Sequence, residues 1–198
     1  MPRPLAVAIT GGIGAGKSEA LRAFARHGAE TISSDEIVHE LLRSDREVRR
    51  ALIKRFGPGI RDETGRLDRR RIADVVFSDR EQLDWLEGLL HPRVVERYLN
   101  WRAELAARPD APALCVTEVP LLYEVGGETR FDVVVVVTAS PAAREARGRK
   151  PPDDREQRLI PDADKARRAD YAYVNDGSLD DLDRWVAGVA AELSRRGS

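Results

Sequence analysis

Eight consecutive residues, Gly11-Gly12-Ile13-Gly14-Ala15-Gly16-Lys17-Ser18, have the types and spacing of a phosphate-binding loop, G-x-x-x-x-G-K-S. Four glycines among the first six of these positions free the backbone for dihedrals that a Cβ forbids. The N–H groups of Gly12, Ile13, Gly14, Ala15 and Gly16 can then converge on phosphate oxygens. They do so at the positive end of the helix that begins with Lys17, Ser18 and Glu19. Lys17 is placed to reach the β- and γ-phosphates of a nucleotide, and the Ser18 hydroxyl to take a position on Mg²⁺. The motif therefore points to a nucleoside triphosphate such as ATP.

Phosphoryl transfer needs positioning and charge neutralisation more than covalent chemistry, and three further features could supply them. Asp35, in Ser33-Ser34-Asp35-Glu36, follows a short strand. A carboxylate there could orient or deprotonate an acceptor hydroxyl, or simply offset the dipole of its own helix; Glu36 reads as a cap. Glu118 closes an apolar run, where an acid commonly holds Mg²⁺ through water. Glu124, six residues on, could equally be a surface acid. The third feature is a stretch with Arg144, Arg147, Arg149, Lys150, Arg155 and Arg158. Most of these belong on solvated faces, with one or two expected to close on phosphates.

These groups must be held by elements, and the hydrophobic pattern supplies them. Five runs read as strands: Leu5–Thr10, Glu30–Ser33, Ala113–Glu118, Phe131–Thr138 and Tyr171–Val174. The run Val133-Val134-Val135-Val136-Val137 has the unbroken β-branched character of a strand buried on both faces of a parallel sheet. Helical patterns alternate with the strands, giving an α/β fold with a five-stranded parallel sheet. Ser33-x-x-Glu36 and Ser78-x-x-Glu81 read as capping boxes, and Ser140-Pro141 and His91-Pro92 as helix starts. Ser178 with Asp181 opens a last helix whose apolar stripe is Leu179, Leu182, Val186, Val189 and Leu193. From about 36 to 112 the alternation stops and only helical patterns appear, which predicts a helical insertion in a chain that is otherwise a single domain, 1–198.

Composition narrows the class. With 33 Lys plus Arg against 34 Asp plus Glu, the net charge is −1, which argues against nucleic-acid binding driven by bulk charge. The single cysteine, Cys115, excludes an internal disulfide framework and reads as a core thiol. The amino terminus runs directly into the first strand, and no apolar run approaches the ~20 residues of a membrane span. The expectation is a cytoplasmic protein.

The chain resembles the dephospho-CoA kinases along nearly its whole length. The resemblance rests on Ile9–Ser18, Asp35-Glu36-Ile37-Val38-His39-Glu40, Gly65-Arg66-Leu67-Asp68-Arg69, Val75-Val76-Phe77, Leu89-Leu90-His91-Pro92, Val119-Pro120-Leu121-Leu122-Tyr123-Glu124 and Asn175-Asp176-Gly177-Ser178-Leu179. It implies a P-loop kinase core in which the insertion holds the acceptor and a short lid spans about 142–160. The implied reaction carries the ATP γ-phosphate to the ribose 3′-hydroxyl of dephospho-CoA, with Mg²⁺. It implies Asp35 as the base, Arg69 and His91 as acceptor-binding residues, Lys17 as catalytic, and Asn175 and Gly177 near the adenine.

Four positions depart from the family pattern. Glu19 stands where threonine is usual, Ser33 replaces the first acid of an Asp-x-Asp, and Glu118 replaces an aspartate. The lid is short, with Leu159 in place of a glutamine. Two alternatives follow: another small-molecule P-loop kinase, such as an adenylate or shikimate kinase, or a nucleotide-binding module that has lost activity.

Overall fold

The computed structural model describes residues 3–148 and 159–196. Five strands, β1 (Leu5–Thr10), β2 (Glu30–Ser33), β3 (Leu114–Glu118), β4 (Val133–Thr138) and β5 (Tyr171–Val174), form one sheet in the order β2-β3-β1-β4-β5, and every pairing is parallel. The third and fourth strands start one and two residues later than the apolar runs suggest. β1 is central, with β3 on one side and β4 on the other; the connection leaving β1 runs to β2 at one edge, and the one leaving β3 runs the opposite way to β4. The crevice beyond the carboxyl ends of the strands at such a reversal is where α/β proteins bind ligands. Register aligns the site-bearing ends, because Ile9 and Ser33 both pair with Glu118.

Side chains alternate strictly across the sheet. On one face, Val7, Ile9, Val116, Val135 and Val137 bury against α1 (Lys17–Arg26) and α8 (Leu179–Arg196), through Ala20, Ala23, Phe24, Leu182, Val186 and Leu193. On the other face, Ala8, Val134 and Val136 pack with Leu122 and Tyr123, and Ala6 and Cys115 with Leu105. Burial pushes the Cys115 thiol pKa up, so it stays protonated and inert. Ser178 and Asp181 exchange hydrogen bonds at the start of α8. Leu179 is exposed although its spacing puts it in line with Leu182 and Val186, because it is the first residue of α8, at the very end of the helix. Phe24 is fully buried. Phe24→Ala is expected to destabilise by about 3–5 kcal/mol, read as a fall in melting temperature of roughly 2–4 °C per kcal/mol. An unchanged melting temperature would contradict this packing.

The chain divides into two compact units. One comprises the residues up to Ser33 together with those from Trp101 onward, and the other is Ser34–Asn100. The second unit is helical: α2 (Ser34–Ser44), α3 (Arg46–Phe56), α4 (Arg69–Phe77) and most of α5 (Arg80–Ala106). Asp45 and Asp68 cap α3 and α4 by accepting backbone N–H groups. The helical stretch returns to the sheet unit earlier than residue 112, because Trp101 and Leu105 already pack on Ala6 and Cys115.

Two helix boundaries differ from the sequence reading. Asp79, not Ser78, caps α5, accepting from Glu81 N at 2.8 Å; a carboxylate is the stronger acceptor at a helix's positive end. Ser78 Oγ instead donates to Val75 O at the end of α4. Pro92 does not start a helix but lies inside α5. Its ring removes one N–H and crowds the preceding turn. The carbonyl that loses its donor is that of Gly88, four positions back, and in the same turn the Arg93 guanidinium donates to the Leu89 carbonyl at 2.9 Å.

Candidate active site

The phosphate loop joins β1 to α1, and its backbone takes conformations that require glycine. Gly11, Gly14 and Gly16 have φ of 136°, 74° and 97°. A Cβ on Gly11 would also collide with the Val137 carbonyl of β4, and one on Gly16 with the Asn175 amide. α1 begins after Gly16 with no side-chain cap. Its first-turn N–H groups have no acceptors within the helix, as an anion site at a helix N-terminus requires. Lys17 Nζ donates to the Gly12 carbonyl at 2.9 Å, which folds the ammonium over the loop.

Ser18 Oγ lies 3.4 Å from Glu118 Oε1, and Glu118 is only 4% exposed. Among the described residues no group of three or more His, Cys, Asp or Glu is arranged to hold a metal. A hydroxyl beside a single carboxylate nevertheless fits Mg²⁺. That ion prefers oxygen donors, binds through one or two protein ligands, and keeps water and substrate phosphate in the rest of its shell. Glu19 pairs with Arg22, three residues on along α1; the Arg22 side chain is well exposed and that of Glu19 partly so.

One arginine of the candidate set borders the loop, and a second meets the residue that braces it. Arg144, on α6 (Pro141–Ala146), donates Nε to the Ala139 carbonyl and pairs with Asp162. Its two terminal nitrogens lie 2.7 and 2.8 Å from where a Cβ of Gly12 would stand, so guanidinium and glycine are in direct apposition. Arg147 donates to the Asn175 carbonyl at 2.6 Å. Arg149, Lys150, Arg155 and Arg158 lie outside the described residues. Asn175, 3% exposed, donates its amide to the Ala15 carbonyl at 2.9 Å and its backbone N–H to Thr138 O at 2.7 Å. Its side chain thus braces the phosphate loop from the end of β5. Gly177 sits against the Asp181 carboxylate, which leaves no room for a side chain there.

In the helical unit, Asp35 occupies the first turn of α2, two residues beyond the strand position that pairs with Glu118. Arg69 opens α4 and its guanidinium meets His39 Nδ1 at 3.3 Å. His91 is half-buried on α5, immediately before Pro92.

Residues 5–181 match the sequence model of the dephospho-CoA kinase family. The chain belongs to that family. A dephospho-CoA kinase from Chlorobaculum tepidum is 38% identical over 96% of this chain and 95% of its own length, and one from Thermobifida fusca 36% identical over 97% and 98%. Among solved structures, a Thermus thermophilus protein superposes with a TM-score of 0.75 at 34% identity, covering 96% of this chain and 98% of its own.

Within a dephospho-CoA kinase frame, the departure at Glu19 comes with a local partner. The Arg22 guanidinium offsets its charge, and a largely exposed ion pair of this kind contributes little to stability. Glu19→Thr is therefore expected to leave Mg-ATP affinity unchanged or slightly improved, with turnover retained, in a binding titration and a kinase assay. A large loss of turnover would mean that Glu19 serves the reaction directly.

One buried charge escapes sequence reading altogether. Lys165 is 0% exposed on α7 (Asp162–Arg168), with Nζ 2.7 Å from Glu124 Oε1. It stands in Asp162-Ala163-Asp164-Lys165-Ala166-Arg167-Arg168, a run whose composition is that of a solvated helix. Glu124, which sequence left open as a surface acid, is accordingly part-buried, its side chain 15% exposed.

Proposed function

We propose that this chain transfers the γ-phosphoryl group of ATP to the 3′-hydroxyl of the ribose of dephospho-CoA. Membership of the dephospho-CoA kinase family over residues 5–181 carries the reading. The loop geometry supports it, since Lys17 and Arg144 meet at Gly12 of the phosphate loop and Ser18, at the start of α1, lies beside Glu118.

In the proposed reaction the loop N–H groups hold the β- and γ-phosphates at the N-terminus of α1. Lys17 leaves the Gly12 carbonyl to follow charge as it builds on the transferring group. Ser18 and Glu118 would hold Mg²⁺, which when bound would neutralise phosphate charge. Arg144 faces the phosphates from above Gly12, and Arg147 closes the nucleotide site beside Asn175 and Gly177. Asp35 accepts the proton of the ribose hydroxyl as its oxygen bonds to the γ-phosphorus. The bond from that phosphorus to the β–γ bridging oxygen breaks, and ADP leaves. Arg69 and His91 are assigned to the acceptor in the helical unit, and the segment 142–160 to the lid. No helix among the described residues is long and apolar enough to cross a membrane, and a reaction drawing on ATP and a coenzyme precursor suits the cytoplasm.

A coupled assay of ADP formation, with purified protein, Mg-ATP and a panel of acceptors, tests this reading. Turnover is expected with dephospho-CoA, giving coenzyme A, and not with AMP or shikimate. Faster turnover with another acceptor, or ATP binding without transfer to any, would overturn it.

A further inference from the structure

Lys165 and Glu124 form a buried ion pair that the proposed chemistry does not use. Glu124 Oε1 also accepts the Ile160 N–H at 3.2 Å, and Oε2 is buried with no hydrogen-bond partner among the described residues. Such a pair is poor value for stability, because desolvating both charges offsets their attraction and apolar side chains of similar volume often serve as well. What it does is fix a place. Glu124 ends the segment that leaves the sheet at Glu118. That segment is itself tied to β1, through Val119 N to Ile9 O at 2.9 Å and Thr10 Oγ1 to Pro120 O at 3.2 Å. Lys165 belongs to α7, a helix of only seven residues whose apolar anchors are the small Ala166 and the following Ala169. Such a helix buries little area, so its polar ties decide how it sits.

The helix bears on the phosphate loop through one residue. Asp162, three positions before Lys165 and so on a neighbouring part of the same helix surface, pairs with Arg144, whose guanidinium covers Gly12. The contacts run unbroken from Glu124 to Lys165, along α7 to Asp162, and from Asp162 to Arg144 over the loop. We infer that Lys165 and Glu124 are positioning residues for phosphoryl transfer. By anchoring α7 they hold Asp162 where it aims Arg144 at the phosphates, and they touch no reactant themselves. The inference rests on the reading of Arg144 as phosphate-facing.

The test uses the full chain and two readouts: kcat with dephospho-CoA, and affinity for Mg-ATP alone, which needs no acceptor. The pair variant Lys165→Met/Glu124→Leu replaces both charges by apolar side chains, and its melting temperature is expected to stay near wild type. Its kcat should fall about tenfold to a hundredfold, as for small misplacements of a group near the chemistry, with Mg-ATP affinity reduced and KM for dephospho-CoA unchanged. Asp162→Asn, an isosteric change at a part-buried side chain that keeps a polar group against Gly12, should show the same pattern. On an Arg144→Ala background the pair variant should lower kcat no further. Additive losses on that background, or wild-type kcat in the pair variant or in Asp162→Asn, would overturn the inference while leaving Arg144 its role. Wild-type kcat and ATP affinity in Arg144→Ala itself would overturn the reading of Arg144, and the inference with it.

Discussion

Asp35→Asn is expected to lower turnover by ~10²–10⁴-fold, the range over which a positioned general base contributes, with ATP affinity close to wild type. The substitution keeps size and shape and removes the negative charge and with it the capacity to accept a proton. Asp35 also stands in the first turn of α2, where a negative charge stabilises the helix by about 0.3–1 kcal/mol. The two roles separate on one protein sample. A base gives a large fall in kcat with a slight change in melting temperature, whereas a dipole acid gives the slight change in melting temperature with turnover intact. Near-wild-type turnover in Asp35→Asn would remove Asp35 from the mechanism. The substitution at Ser33 sharpens the expectation, because this chain has no second acid at that position to take over.

Lys17→Ala is expected to lower kcat by roughly a hundred- to thousandfold, the effect of removing one group aimed at developing charge, or about 3–4 kcal/mol of transition-state stabilisation. The fold should survive, because Lys17 opens α1 at its ligand end and the residues that bury α1 are Ala20, Leu21, Ala23 and Phe24. The decisive comparison is therefore kcat against melting temperature: a collapse of both would point to a structural role, and unchanged kcat would sink the assignment of the loop as the site of transfer.

The amino-acid sequence by itself determined the strands, the loop and the family. Runs of β-branched residues bounded by turn signals fix where strands can form, and the glycine spacing of the phosphate loop reflects backbone conformations that no other residue tolerates. Gly11 shows why the spacing is legible: at φ 136° and pressed on the Val137 carbonyl, it has no substitute, so the need is written in the residue type. Helix starts were legible where a cap is unambiguous, as at Ser140 and Ser178. They were misplaced where two candidates adjoin, as at Ser78 and Asp79, or where a proline sits in an otherwise periodic run, as at Pro92.

Only the tertiary structure decided which charges meet. Pairing between Glu124 and Lys165 joins residues 41 positions apart, and that between Arg144 and Asp162 joins residues 18 positions apart. Neither pair follows from periodicity, because a charged side chain on a short helix looks the same in sequence whether it faces water or an opposite charge in the interior. The same holds for Asn175, placed by family resemblance near the adenine, whose amide is fixed on the Ala15 carbonyl by the return of β5 to the sheet beside β4. Local preference is encoded residue by residue, whereas the partner of a buried charge is set by the packing of distant segments, and only the folded chain brings those segments together.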